Sequence, residues 1–96
     1  MDTESVLLEE MTWREVEAAL DNGTRTAVVG VGSIEQHGPH LPLKMDTLAG
    51  DELSARIALE LGDAVAAPTI RPGCSGHHMA FPGTITISPE TLMDTI

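Results

Sequence analysis

The order of the elements predicted from this 96-residue sequence places the chain in the α/β class. Residues 26–31, Thr-Ala-Val-Val-Gly-Val, are apolar without alternation, which is typical of a strand buried on both faces of a parallel sheet. A loop, a helical pattern ending before Gly62 and a second apolar stretch at residues 64–67 follow. Strand, loop, helix and strand in this order indicate a βαβ unit, so we expect a mainly parallel sheet.

The first predicted helix begins with a capping-box pattern, in which Thr12 is followed three residues later by Glu15. Apolar residues then recur at helical spacing, namely Trp13, Val16, Ala19 and Leu20. Asn22 and Gly23 favour the left-handed backbone of a helix end, so this helix should be short.

A second helix follows the long loop, and either Asp46 or Thr47 is a candidate cap for it. Gly62 should end it. Its predicted apolar stripe consists of Leu48, Leu53, Ile57 and Leu61.

The last part of the chain combines a strand pattern with a helix start. Residues 84–87, Thr-Ile-Thr-Ile, alternate as in a half-buried strand. Ser88 and Pro89 then form a strong helix start, with serine as the cap and proline in the first turn. The chain ends about two turns later, so we expect it to stop inside an element.

The composition excludes several classes of partner. Five basic and fifteen acidic residues give a formal net charge of −10, which argues against nucleic acid and against anionic membrane surfaces. Such an acidic surface suits either a high-salt cytoplasm or an ordinary acidic protein. Cys74 is the only cysteine, so it forms no intrachain disulfide, and we expect it to be buried. Residues 1–4, Met-Asp-Thr-Glu, are acidic and lack the basic start and apolar core of a signal peptide, so a cytoplasmic location is expected.

The loop between the first strand and the second helix carries the candidate chemistry. Its sequence from Gly32 to Asp46 contains two carboxylates and two imidazoles. Glu35 and His37 are two residues apart and would point the same way in extended backbone. Asp46 lies where the helix begins, where free backbone N–H groups would orient its carboxylate. Carboxylates with imidazoles favour zinc, manganese or iron, so these three residues are the predicted metal ligands.

Four further residues are weaker candidates around this loop. Gln36 and His40 could orient the ligands by hydrogen bonds. His77 and His78 are adjacent in a second irregular segment, and in extended backbone at most one of them could reach Glu35 and His37. The alternative for each is an ordinary loop histidine. A dinucleotide-binding loop after the strand is rejected, because position 35 is Glu where the third glycine would stand.

Two segments of the chain resemble the creatininase (creatinine amidohydrolase) family. The run GSIEQHGPHLPLKMD at residues 32–46 is similar to the family motif G-S-x-E-Q-H-G-P-H-L-P-L-x-T-D. Residues 75–84, SGHHMAFPGT, are similar to a second family segment, S-x-E-H-x-x-F-P-G-T. The chain departs from these patterns at Met45, where threonine is usual, and at His77, where many members have an acidic residue.

The resemblance implies a three-layer α/β/α fold and a hydrolase that cleaves C–N bonds of cyclic or linear amides. It implies two divalent metal ions, zinc or manganese and in some cases iron, with Glu35 on one ion, His37 on the other and Asp46 bridging both. Small-molecule amides would be the substrates, and the full-length family members are expected to be homo-oligomers.

The resemblance also predicts how much of the fold is present. Family members run to roughly 250 residues, and their remaining His and Glu ligands lie in a later loop. Residues 1–96 are therefore expected to be the N-terminal portion of a single creatininase-like domain. The leading hypothesis is an amidohydrolase. The alternatives are a non-catalytic fragment and a module that binds one metal ion through Glu35, His37 and His78.

Overall fold

The computed structural model describes residues 2–96, and in this part it contains α-helices, strands and short 3-10 helices. The α-helices are α1 (Trp13–Asp21), α2 (Met45–Leu61) and α3 (Pro89–Thr95). The strands are β1 (Thr26–Val31) and β2 (Ala64–Ile70). The 3-10 helices are Thr3–Val6, Leu8–Glu10 and Gly76–His78. No described helix is both long enough and apolar enough to cross a membrane.

The two strands form a parallel two-stranded sheet joined by α2. At one end Arg25 and Thr26 donate their backbone N–H groups to the carbonyl of Asp63, and at the other end Gly32 N donates to Ile70 O at 2.7 Å. The pairing advances in the same direction along both strands, as a parallel register requires. The predicted βαβ unit and the α/β class are therefore confirmed.

The chain divides into two compact units, of which the first comprises residues 2–30 and 51–68. The core of this first unit is built from alanines. Ala55 and Ala58 of α2 and Ala64 and Ala66 of β2 are buried, and Val6, Leu7 and Val28 pack against them. Because alanine adds only a methyl group, the backbones of α2 and β2 can approach closely here.

The apolar stripe predicted for α2 is exposed in the described chain. Leu53, Ile57 and Leu61 are 59%, 48% and 53% exposed, and Leu48 is also exposed. Within the first unit, the buried face of the helix carries Ser54, Ala55 and Ala58. A helix face of small residues can lie directly on a sheet, whereas the leucine and isoleucine side chains project from another face.

The expectation that β1 is buried on both faces is also wrong. Val29 and Val31 are each 49% exposed, and four of the six residues of the strand are exposed in total. The sheet has two strands in the described chain, so β1 is an edge strand with one hydrogen-bonded neighbour.

The capping box of α1 is present as predicted. Thr12 Oγ1 accepts a hydrogen bond from Glu15 N at 3.2 Å, and Thr12 N donates to Glu15 Oε1 at 3.0 Å. The hydrogen bonds from the backbone and side chain of Thr12 lower the pKa of Glu15. Asn22 is the C-cap and Gly23 has φ of +103°, which agrees with the predicted helix end.

We expect Thr12→Ala to lower the free energy of unfolding by about 1 kcal/mol, because the backbone N–H of Glu15 loses its hydrogen-bond acceptor. The pKa of Glu15 is lowered in the folded chain. The contribution of ionised Glu15 to the free energy of unfolding is therefore present above its unfolded pKa and is lost as the pH falls through its folded pKa. Urea unfolding at neutral and acid pH measures both effects. Thr12→Ser keeps the hydroxyl and is the control; equal stability of the two variants would contradict the prediction.

The second unit comprises residues 31–50 and 69–96. The strand predicted at residues 84–87 is replaced by two isolated bridges, since Ile85 pairs antiparallel with Ile34 and Thr86 pairs parallel with Gly73. Each of these two pairings is a single bridge and does not continue into a ladder in the described chain. The predicted start of α3 is confirmed, because Ser88 Oγ accepts from Thr91 N at 3.1 Å.

Candidate metal centre

The predicted ligands all lie in the second unit, on the loop that follows β1 and on the first turn of α2. The loop is fixed to that turn by close backbone packing. Thr47 Oγ1 donates a hydrogen bond to Ser33 O at 3.1 Å. A Cβ atom added to Gly32 would lie 2.8 Å from Thr47 Cα. Only glycine permits this approach, and the approach sets where the loop leaves the strand.

Gly32→Ala should therefore destabilise the chain by about 1–3 kcal/mol, because the clash is with backbone atoms that cannot rotate away. Gly76→Ala is a matched control, since a Cβ there meets nothing within 4 Å. Urea unfolding of the two variants gives the comparison. If Gly32→Ala unfolds at the same urea concentration as Gly76→Ala, the close contact with Thr47 is not required.

His37 and Asp46 face each other across the loop. His37 Nε2 lies 3.5 Å from Asp46 Oδ1. The other ring nitrogen, Nδ1, lies 3.0 Å from the carbonyl oxygen of Glu35. A carbonyl oxygen can only accept, so Nδ1 carries the proton and donates it. In neutral His37 the lone pair of Nε2 therefore points toward an oxygen of Asp46.

The lone pairs of His37 Nε2 and Asp46 Oδ1 face each other, so a positive charge between these two atoms would be stabilised. The hydrogen bond to the Glu35 carbonyl, with the nearby Asp46 and Glu35 carboxylates, outweighs partial burial and raises the pKa of His37. A proton can supply the charge, and so can a metal ion. Both side chains are partly exposed, at 27% and 47%, so the ion pair alone contributes little stability.

Asp46 is oriented differently from the prediction. The helix begins at Met45, so neither Asp46 nor Thr47 is its cap. In the described chain the Asp46 carboxylate accepts from Ser33 Oγ at 2.6 Å, and no hydrogen bond to it from a backbone N–H is present. A side-chain hydroxyl fixes one oxygen, which leaves the other facing His37.

Glu35 has a protein donor on each carboxylate oxygen. Ser75 Oγ donates to Oε1 at 2.9 Å, and His78 Nε2 lies 2.8 Å from Oε2. Ser75 is fully buried. Burial opposes ionisation of Glu35 most strongly. The hydrogen bond from Ser75, together with the nearby Ser33 hydroxyl and His78 ring, exceeds that effect and lowers the pKa of Glu35. The carboxylate is thus held ionised and in one orientation.

The adjacent histidines both come near Glu35, whereas at most one of them was expected to enter a site with Glu35 and His37. Ligand atoms of Glu35, His77 and His78 all lie within 4.8 Å of one another. Adjacent side chains point to opposite faces in extended backbone, but these residues belong to the 3-10 helix Gly76–His78. In that helix the two rings lie side by side, with centroids 4.1 Å apart.

Gln36 forms hydrogen bonds within the cluster, whereas His40 forms none with the predicted ligands among the described residues. The Gln36 amide is 2.9 Å from His78 Nδ1 and accepts from Gly38 N at 2.8 Å. His40 is exposed, and among the described residues no hydrogen bond joins it to the predicted ligands.

Cys74 is also exposed, which corrects the expectation that it is buried. The sequence patterns did not indicate Ser33 as a hydrogen-bond donor to Asp46 or Ser75 as a donor to Glu35. Ser33 lies in the first motif and Ser75 in the second.

The donor set fits a divalent transition-metal ion. Two atoms bound about 2.0–2.1 Å from a tetrahedral zinc ion lie about 3.4 Å from each other. His37 Nε2 and Asp46 Oδ1 are separated by 3.5 Å. A neutral imidazole with its Nδ1 proton on a backbone carbonyl is a common form of metal-ligating histidine.

The chain belongs to the creatininase family of hydrolases. The sequence profile of that family, described as creatinine amidohydrolase, matches residues 9–96. The match includes both motifs and all the predicted ligands.

Relatives with different activities are similar to the chain. The mycofactocin precursor peptide peptidase of Mycolicibacterium smegmatis is 44% identical over 70 residues, which cover 68% of this chain and 28% of that protein. The creatinine amidohydrolase of Pseudomonas putida is 33% identical over 99 residues, covering 98% of this chain and 38% of that protein. The chain thus spans less than two fifths of the length of either relative.

Solved creatininase structures share the fold. A creatinine amidohydrolase (creatininase) structure superposes with a TM-score of 0.83 at 34% identity, over 94% of this chain and 36% of that chain. Similar structures include a Zn-Zn type of a creatininase mutant and a manganese creatininase, with TM-scores of 0.82 each. The predicted creatininase-like α/β fold is therefore confirmed, over a part of the domain.

Proposed function

We propose that Glu35, His37 and Asp46 are ligands of a binuclear divalent metal centre that hydrolyses C–N bonds in amides. The observation that carries this proposal is the pair His37 Nε2 and Asp46 Oδ1, 3.5 Å apart, with the imidazole proton held on the opposite nitrogen. The donor chemistry suits zinc or manganese, and structures with zinc and with manganese occur among the similar creatininases.

The chain's own residues would prepare the site in three ways. Ser33 orients the Asp46 carboxylate, and Ser75 orients that of Glu35. The Glu35 carbonyl holds the proton of His37 on Nδ1, which leaves Nε2 free to bind. Divalent ions at these ligands would supply Lewis acidity toward an amide carbonyl and toward water. Preorganised ligands reduce the rearrangement that binding would otherwise require.

The substrate class is proposed from the relatives. A creatinine amidohydrolase and a precursor peptide peptidase both act on C–N bonds, in a cyclic and in a linear substrate. We therefore propose a small cyclic amide or a short peptide as substrate. A homo-oligomeric assembly and a cytoplasmic location stay predictions from the sequence.

A second candidate function is a module that binds a single metal ion. The cluster of Glu35, His77 and His78, with ligand atoms within 4.8 Å of one another, favours it. The single-ion module expected from the sequence used Glu35, His37 and His78, and in this set His77 takes the place of His37. The two proposals differ in whether His37 and Asp46 take part.

Metal stoichiometry tests the proposal. The purified chain is stripped with a chelator, titrated with zinc or manganese, and weighed by native mass spectrometry. We expect at least one ion per chain, lost in His37→Ala and retained in His77→Ala. Release of product from creatinine and from a dipeptide amide then tests hydrolysis. The proposal fails if no ion binds stoichiometrically, and the single-ion module is favoured if His77→Ala, rather than His37→Ala, abolishes binding.

A further inference from the structure

We propose that His78 is a positioning residue for Glu35 and not a metal ligand, and that Gln36 fixes it in this role. The assignment builds on the proposed metal function of Glu35. It is carried by a chain of contacts in the second unit: two hydrogen bonds, from Gly38 to Gln36 and from Gln36 to His78, and the 2.8 Å approach of His78 Nε2 to Glu35 Oε2.

The first hydrogen bond fixes the orientation of the Gln36 amide. Gly38 N lies 2.8 Å from Gln36 Oε1. A backbone N–H can only donate, so the oxygen of the amide must face Gly38. The amide nitrogen then faces His78, where it lies 2.9 Å from Nδ1.

The second hydrogen bond fixes the tautomer of His78. An amide nitrogen can only donate, so Nδ1 of His78 must accept and carries no proton. In the neutral ring the proton is therefore on Nε2. That nitrogen lies 2.8 Å from Glu35 Oε2 and donates to it. Nε2 of His78 thus has no lone pair available for a metal ion.

His37 is held in the opposite tautomer. Its proton is on Nδ1, bonded to the Glu35 carbonyl, and its Nε2 lone pair is available. Two histidines of one cluster are therefore assigned different tasks by their hydrogen-bond partners. One is prepared to bind an ion, and the other presents an N–H group to a carboxylate.

The donated hydrogen bond completes the support of Glu35. Ser75 Oγ donates to the other carboxylate oxygen, and Ser75 is fully buried. With a donor on each oxygen, the carboxylate cannot rotate without losing a hydrogen bond in a partly buried environment. Hydrogen-bond partners of this kind typically change metal affinity about 10–100-fold when they are removed.

Two substitutions separate positioning from ligation. In His78→Gln the side-chain amide nitrogen stands the same number of bonds from Cβ as Nε2, so an N–H donor to Glu35 is retained. In His78→Leu no donor remains. Zinc affinity is measured for the full 96-residue chain by competition with a chromophoric chelator, and backbone amide spectra check that each variant is folded.

We expect His78→Gln to bind zinc within about threefold of the parent chain and His78→Leu to bind at least about tenfold more weakly. Equal large losses in both variants would overturn the proposal, because they would identify His78 as a ligand. Unchanged affinity in His78→Leu would overturn it too, because Glu35 would then need no support from this residue.

A tautomer measurement decides the proposal even if a variant does not fold. Long-range proton–nitrogen correlation spectra of the ¹⁵N-labelled, zinc-free chain identify the protonated nitrogen of each histidine. We expect Nε2–H for His78 and Nδ1–H for His37, and we expect Gln36→Glu to move the His78 proton to Nδ1. An Nδ1–H tautomer of His78 in the parent chain would overturn the assignment. Failure of zinc to bind would contradict the proposed function alone, because this spectrum is recorded without metal.

Discussion

Exchanging Asp46 for asparagine should lower the zinc affinity of the chain by more than about 100-fold, the upper range for loss of an outer hydrogen-bond partner. The amide keeps the size of the side chain and an oxygen that can accept from Ser33. It removes the negative charge that faces His37 at 3.5 Å. An amide oxygen is a much weaker zinc ligand than a carboxylate, so affinity should fall while the fold persists.

The matched control for this exchange is Asp51→Asn on the same helix. It makes the same change of charge, but Asp51 belongs to the first unit, whereas the ligands belong to the second. Competition titration with zinc measures both variants. If both variants bind zinc as tightly as the parent chain, Asp46 is not a ligand. If both bind zinc more weakly than the parent chain and by the same factor, only the net charge matters.

Replacing Ser75 by alanine should lower the free energy of unfolding by about 1–3 kcal/mol, because a partly buried carboxylate oxygen of Glu35 loses its donor. The loss should depend on pH. The pKa of Glu35 is lowered in the folded chain, so its contribution is present above the unfolded pKa and disappears as the pH falls through the folded pKa. The difference between Ser75→Ala and the parent chain should therefore shrink in acid.

Ser54→Ala is the control for this prediction. Ser54 is also buried, but its hydroxyl donates to the backbone carbonyl of Asp51 within a helix, not to a carboxylate. We expect its loss to be smaller than that of Ser75→Ala and independent of pH in the range where Glu35 titrates. Urea unfolding across that range measures both variants, and parallel curves for the two would contradict the assigned role of Ser75.

Local signals predicted the elements of the fold well. The cap at Thr12, the helix end at Gly23 and the serine–proline start at Ser88 depend on neighbours within a few residues, and all three are present. The buried face of α2 differs from its most hydrophobic stripe, which contains Leu53. The sheet instead packs on Ala55 and Ala58, which a hydrophobic pattern does not distinguish.

In the candidate site, too, residues close together in the sequence could be predicted, whereas a partner far away in the sequence could not. The motif alone named Glu35, His37 and Asp46 and placed Gln36 beside them. It could not supply Ser75, because this partner of Glu35 lies 40 residues away along the chain and meets it only in the folded structure. Likewise, His77 and His78 both lie near Glu35 because they belong to a 3-10 helix, which the sequence pattern did not predict.

The most direct test of the central claim is the position of zinc in a crystal of this chain, located by anomalous scattering at the zinc edge. We expect a zinc ion bonded to His37 Nε2 and an Asp46 carboxylate oxygen, each at about 2.0–2.2 Å. His78 Nε2 should remain hydrogen-bonded to Glu35 in the same crystal. A zinc ion held by His77 and His78, with His37 and Asp46 uncoordinated, would contradict the account.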